Sequence, residues 1–189
     1  MKTLIEISAR HIHLSARHLT KLFGKNYQLK SIRSLSQPNQ FVSQAMLTIK
    51  TSKLTIKKVR ILGPLRRQTQ VEISRSDAYR LGINPPLRIS GDLKGSASVI
   101  LIGPKGKIRL SEGVIVAQRH LHITSQQANQ MGINRRRFIS IQITGPRALI
   151  FQRVSVRISK QFSLVCHLDT DEGNSAGINR RGHGKIILK

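Results

Sequence analysis

QVEISRSDAYRLGINPPLRIS, Gln70 to Ser90, aligns without gaps on HLHITSQQANQMGINRRRFIS, His120 to Ser140. Both strings open with a short alternating run, pass a Ser or Thr, cross a few helical turns and stop at Gly-Ile-Asn before more apolar residues. The alternating run reads as a strand, in which side chains at i and i+2 share a face. Ser74 and Thr124 stand where a helix N-cap is needed, and Gly82 and Gly132 where a helix stops. HIHLSARHLTKLFGK, from His11, fits the same frame. Repetition at this scale marks a duplicated strand–helix unit and predicts two related subdomains.

Outside the repeat, the apolar residues come in short runs: LIEIS, AMLTIKTSKLTIKKVRIL, SVILIG, GVIVA, FISIQI and RVSVRI. They are rich in Val and Ile, and Gly, Pro, Asn or Asp separate many of them, which is the pattern of many short strands. The chain reads as mainly β, barrel-like, with short capping helices.

Composition narrows the function classes. Lys and Arg total 33 against 8 acidic residues, a formal charge of +25, so the surface attracts polyanions. Aromatic residues are only 4% and Trp is absent, which leaves little to stack on single-stranded bases. The basic residues are scattered, and no helix-turn-helix, finger or RNA-recognition signature is present. There is no apolar run near the roughly 20 residues of a membrane span. MKTLIEISARH lacks the apolar stretch of a signal peptide, so an intracellular protein is expected. Cys166, the single cysteine, excludes an intrachain disulfide and a multi-cysteine zinc site.

The repeat also concentrates chemistry. His11/His13, Gln70/Glu72 and His120/His122 each present two polar groups on one strand face just before a helix. One His-x-His is often two polar residues on a solvated strand. Two copies, each preceded by Arg (Arg10, Arg119), at equivalent places in a duplication point to divalent metal. CHLDTDEGN, Cys166 to Asn174, offers His167 and three acids, and reads alternatively as an acidic loop balancing arginines. His18 and His183 have no partner pattern and read as surface residues. In GPLRRQTQVE, Arg66 and Arg67 follow a Gly-Pro turn, and Arg suits bidentate binding of phosphate or carboxylate. Glu72 is placed to act as ligand or base. Ser90-Gly91 in RISGDLKGS is either an anion-binding nest or an ordinary turn.

Taken in order, RHIHLS, GPLRRQTQVEIS, ISGDLKGS, RHLHIT and HLDTDEGN resemble the PduL-type phosphate propanoyltransferases, or phosphotransacylases. The resemblance runs from about Ile5 to the C-terminal region. It implies acyl transfer between coenzyme A and inorganic phosphate, with two zinc ions per chain. It implies two β-barrels capped by short α-helices, one from residues 1–9 and 118–189 and the other from residues 10–117. His11, His13 and Glu72 would hold one zinc, and His120, His122 and His167 the other. Arg66 would bind phosphate with Gln70, Ser90 and Gly91, and Arg66 and Glu72 would be the catalytic groups. Ser8, Arg33, Arg60, Leu62, His167 and Asn174 would lie along coenzyme A. Cys166 stands where the family has an apolar residue, which implies a packed side chain and direct phosphate attack without an acyl-enzyme. A homodimer is expected. RHIHLS begins at residue 10, so no targeting extension for a bacterial microcompartment precedes it, and a cytoplasmic enzyme is expected, with shell docking by another route left open. A zinc hydrolase and a basic nucleic-acid-binding protein on the same scaffold are the alternatives. All six candidate ligands are retained, which favours the transferase.

Overall fold

The structure is a computed structural model and describes residues 1–188. In chain order its elements are β1 (Lys2–Ser8), β2 (His11–His13), α1 (Ala16–Phe23), β3 (Ser31–Ser34), β4 (Phe41–Lys50), β5 (Thr55–Gly63), β6 (Gln70–Glu72), α2 (Arg75–Leu81) and β7 (Leu87–Arg88). There follow β8 (Ala97–Gly103), β9 (Gly106–Ala117), β10 (His120–Ile123), α3 (Ser125–Gln130), β11 (Phe138–Ile143), β12 (Leu149–Ile158), β13 (Val165–Asp169), α4 (Thr170–Ser175) and β14 (Arg181–Ile187). Among the described residues, no helix is long and apolar enough to cross a membrane.

The chain forms two compact units. One, the central unit, is Arg10–Leu35 with Asn39–Ala117; the other, the outer unit, is Met1–Ala9, Ser36–Pro38 and the chain from Gln118. The outer unit is a closed barrel, β1-β13-β10-β12-β11-β14. In the central unit β4-β5-β2-β6-β9 continues through β8, which pairs with both β9 and β4 and closes a second six-stranded ring. β3 and β7 lie beside β4 and β9.

The two rings have one pairing pattern. From β4 round the central ring the ladders run antiparallel, parallel, antiparallel, parallel, antiparallel, antiparallel. From β14 round the outer ring the order is the same. Each ring is therefore two strand–helix–strand–strand repeats. They are β2-α1-β4-β5, β6-α2-β8-β9, β10-α3-β11-β12 and β13-α4-β14, the last completed by β1. Three repeats are readable in the sequence. The fourth is a finding of the structure: VCHLDTDEGNSAGINRR, from Val165, aligns without gaps on HLHITSQQANQMGINRR, from His120. The CHLDTDEGN segment is thus a strand and a capped helix, not an acidic loop.

Each repeat opens alike because its residues dictate it. The middle residues of the opening strands, Ile12, Val71, Leu121 and Cys166, are all fully buried and point into the barrel cores. Burial of a side chain such as Ile or Leu stabilises by about 1.5–3 kcal/mol, so these four positions fix which face turns inward. Their neighbours, His11/His13, Gln70/Glu72, His120/His122 and Val165/His167, must then turn outward. Two residues on, Ser15, Ser74, Thr124 and Asp169 cap the helices, each side chain accepting the backbone N–H three residues later. Gly82 ends α2 with φ 68°, in the left-handed region.

His18, expected to have no partner, has one. It is half-buried in α1, and its Nδ1 is 2.8 Å from Thr69 Oγ1.

Candidate active site

In the central unit, β2 and β6 pair antiparallel with His11 opposite Glu72 and His13 opposite Gln70. All four residues are buried. One donor atom each from His11, His13 and Glu72 lies within 4.8 Å of the others. His11 Nε2 is 3.5 Å from Glu72 Oε2, close to the edge of about 3.4 Å that a tetrahedral zinc with 2.0–2.2 Å bonds demands. Burial, reinforced by the charges of His11 and Arg66, pushes His13 down to about 2, so its imidazole is neutral. Its Nδ1 is buried without a hydrogen-bond partner, which fits a metal-ligand role. Burial opposes ionisation of Glu72, but His11, His13 and Arg66 outweigh it and hold the carboxyl below its usual range.

Beside this triad lies a polar network. Arg66 Nη1 donates to Ser90 Oγ at 2.9 Å, and Gln70 Nε2 donates to the same oxygen at 2.8 Å. Ser90 Oγ donates to Glu72 Oε1 at 2.9 Å, and Gln70 Nε2 also reaches that oxygen at 2.5 Å. Gly91, at φ 103°, takes a conformation that L side chains rarely adopt, and its N–H donates to Gln70 Oε1 at 2.8 Å. Ser90-Gly91 is thus more than an ordinary turn. The Gly91 N–H is engaged by Gln70, however, so it does not stand open as an anion nest.

In the outer unit, β13 pairs with β10 so that His120 faces His167, and His122 completes a second triad with donor atoms within 4.8 Å of one another. The three ring centroids are 4.7–5.2 Å apart. His120 Nδ1 is 2.9 Å from the Gln118 carbonyl oxygen, which can only accept, so Nδ1 carries the proton and Nε2 is the atom that could bind a metal. Burial, with His120, His167 and Arg157, pushes His122 down to about 2, and its buried Nδ1 lacks a partner. Nitrogen and carboxylate donors without thiolate suit zinc at both triads, and three protein ligands leave a position open.

The structure also assembles residues that sequence reasoning missed. Glu6 on β1 is in register with His167, and its Oε2 is 3.5 Å from His167 Nε2. Its other oxygen accepts from Arg181 at 2.8 Å and from Ser36 Oγ. The arginine before each His-x-His is a brace between repeats. Arg10 grips Asp77 with bonds of 2.6 and 2.7 Å, and Arg119 meets Glu172 at 2.7 Å. Asp77 and Glu172 occupy the same position of α2 and α4, three residues after the N-cap. The fourth repeat was the signal that pairs them.

Of the residues expected along coenzyme A, Arg60 lies opposite His11 in the β2–β5 ladder, and Leu62 follows on the same strand. The Arg60 Nη1 donates to the Gln44 carbonyl at 2.9 Å. Arg33 is exposed on β3. Ser8 ends β1 opposite Asp169, and Asn174 is exposed on α4. Cys166 is fully buried, and burial pushes its thiol well above the usual range.

Comparison with known proteins places the chain in a family. Residues 4–179 match the phosphate propanoyltransferase family. A phosphate propanoyltransferase of Thermotoga maritima is 43% identical over 93% of this chain and 84% of its own length. Another of Listeria monocytogenes is 43% identical over 98% and 87%, and one of Shewanella putrefaciens is 45% identical over 92% and 82%. The chain belongs to the phosphate propanoyltransferase family of acyltransferases.

Proposed function

We propose that the chain interconverts a short-chain acyl-CoA plus phosphate with acyl phosphate plus coenzyme A, propanoyl or acetyl being the acyl group, with two zinc ions per chain. The observation that carries this reading is the convergence of Arg66 and Gln70 on Ser90, which donates in turn to Glu72 of the first triad. An arginine with a hydroxyl and an amide at its tip is a receptor for a tetrahedral oxyanion. His11, His13 and Glu72 would hold one zinc, and His120, His122 and His167 the other. Bound zinc supplies Lewis acidity where charge develops on the carbonyl oxygen or the departing thiolate.

The chain's own residues do the rest. Arg66 holds phosphate by its fork, and Ser90 and Gln70 set its orientation. Placing phosphate against the thioester supplies much of the rate gain. The phosphate oxygen forms a bond to the acyl carbon, the carbon–sulfur bond breaks, and coenzyme A leaves as thiolate. Arg33, Arg60, Leu62, Ser8 and Asn174 would line coenzyme A. Direct attack is favoured because an acyl-enzyme requires an activated nucleophile, and the sole thiol is sealed in a barrel core. By the same resemblance the enzyme is a cytoplasmic homodimer, with microcompartment docking a further possibility.

The test is a coupled assay of acyl-CoA plus phosphate across acetyl, propanoyl and butanoyl substrates, run beside metal analysis. Acyl phosphate formation with intersecting initial-rate lines and about two zinc ions per chain is expected. Hydrolysis independent of phosphate would establish a hydrolase, and parallel lines would establish an acyl-enzyme.

A further inference from the structure

We propose that the central unit carries a second anion site, distinct from the Arg66–Ser90 network, for an oligophosphate compound. Its seat is a cavity of about 560 Å³ bounded by the first turn of α1, the Arg66–Thr69 loop and the Arg109–Glu112 stretch of β9. A single phosphate occupies a small part of such a volume, which lies within the roughly 300–1,000 Å³ of small-molecule pockets.

Besides Arg66, three arginines line it, Arg17, Arg67 and Arg109. All three are exposed, and among the described residues none forms an ion pair. The one acid in the wall, Glu112, accepts from the Gly95 N–H at 2.9 Å. Like charges gathered in one cavity repel each other, and the single Glu112 does not offset four arginines. A multiply charged anion does so, with several charge-assisted hydrogen bonds at once.

The first turn of α1 adds to that charge. A helix N-terminus favours carboxylates, and two of the related helices carry them, Asp77 in α2 and Asp171 and Glu172 in α4, while α3 carries none. α1 has no acid in its first turn. Arg17 stands there instead, a cation at the positive end of the helix, with His18 beside it. His18, bonded to Thr69, has its pKa lowered by burial and then by Arg17 and Lys21. The wall that α1 contributes to the cavity therefore carries a cation with no carboxylate in its own first turn to balance it.

The site rests on the transferase reading only in that Arg66 forms part of the wall; the test separates them. Inorganic tripolyphosphate is titrated calorimetrically, at low salt and without acyl-CoA, into the metal-loaded protein and two variants. In Arg17→Glu/Arg109→Glu, affinity should fall at least about tenfold, since two charge-assisted contacts are reversed, while acyl transfer and its KM for phosphate stay unchanged. Arg17→Gln/Arg109→Gln should lose less, and circular dichroism confirms that both variants fold. Arg66→Ala should leave binding within about twofold. Loss of tripolyphosphate in Arg66→Ala with retention in the Glu variant would assign the anion to the transferase site and overturn the proposal. So would tight binding of duplex DNA, sensitive to Arg17→Glu/Arg109→Glu, by a protein indifferent to tripolyphosphate.

Discussion

Glu6 is the residue that most changes the reading of the second triad. Three imidazoles alone present a metal with no negative charge, whereas the first triad contains Glu72. Glu6 Oε2 lies 3.5 Å from His167 Nε2, and Arg181 and Ser36 hold its other oxygen in place. A carboxylate so held orients the histidine and raises its basicity. Glu6→Gln should therefore weaken metal at the His120 centre by roughly 10–100-fold and leave the His11 centre as it was. Chelator competition, read as two metal-release steps, measures both. The same residue makes a pH prediction for the metal-free protein. The hydrogen bond from His167 overcomes burial, and with Ser36 and Arg181 it lowers Glu6 from 4.5 to about 2. A depressed carboxylate stabilises the fold fully above its unfolded value, and that contribution is lost as pH falls from about 4.5 toward 2. Urea midpoints of wild type should fall through this window more steeply than those of Glu6→Gln. Equal slopes would show that the contact contributes nothing. Cys166, in contrast, should resist iodoacetamide at pH 8 until the protein unfolds, because reactivity belongs to exposed thiolates.

At the scale of elements, each barrel ties one repeat's opening strand to the other repeat's helix. Arg10 precedes β2 and grips Asp77 of α2, and the reciprocal link is Thr69, before β6, with His18 of α1. Asp77 is almost wholly buried, but Arg10 keeps 40% of its side chain exposed. Removing the arginine strands a buried carboxylate, for which a fully buried pair costs about 3–5 kcal/mol. The partial exposure of Arg10 lowers the expectation for Arg10→Ala to about 2 kcal/mol. Arg10→Ala/Asp77→Asn should recover part of the loss, and a double-mutant cycle by urea denaturation reads the coupling. These braces also mark how far the sequence could be read. The strand–helix frame and both His-x-His pairs were legible because Ser74/Thr124 and Gly82/Gly132 align without gaps. The brace was not, because Arg10 and Asp77 lie 67 residues apart and nothing local links them. The fourth repeat was hidden by its substitutions: Val165 stands at the first ligand position, Cys166 at the core position and Asp169 at the cap. Once aligned, Cys166 is the counterpart of Ile12, Val71 and Leu121, and its burial follows.

For the molecule as a whole, the chain begins one strand out of phase with its own repeats. β1 belongs to the fourth repeat, yet it precedes the first, and this is why the parallel pairing of β1 with β13 could not be read from neighbouring residues. In the outer barrel β1 also runs antiparallel to β14, with Lys2 opposite Lys185, and the Ile186 N–H donates to the Met1 carbonyl at 3.0 Å. The two ends are therefore arranged like the arms of a hairpin, which a short Gly-containing turn can join. A circular permutant starting at Arg10, with residues 1–9 moved behind the C-terminus through such a turn, contains four strand–helix–strand–strand repeats in uninterrupted order. Its ladders are the native ones, so it should fold, bind metal with the wild-type stoichiometry and keep its acyl transfer. Simple deletion of residues 1–9 is the control. It leaves β13 and β14 with unpaired edges and removes Ile5 from the core, and exposed edges drive aggregation. Soluble, active permutant beside aggregated deletion is the expected pair of results, read by gel filtration and metal content. If both fail alike, the connection from β1 to β2 does more than carry a displaced strand, and the account of the outer barrel as two repeats closed by β1 is wrong.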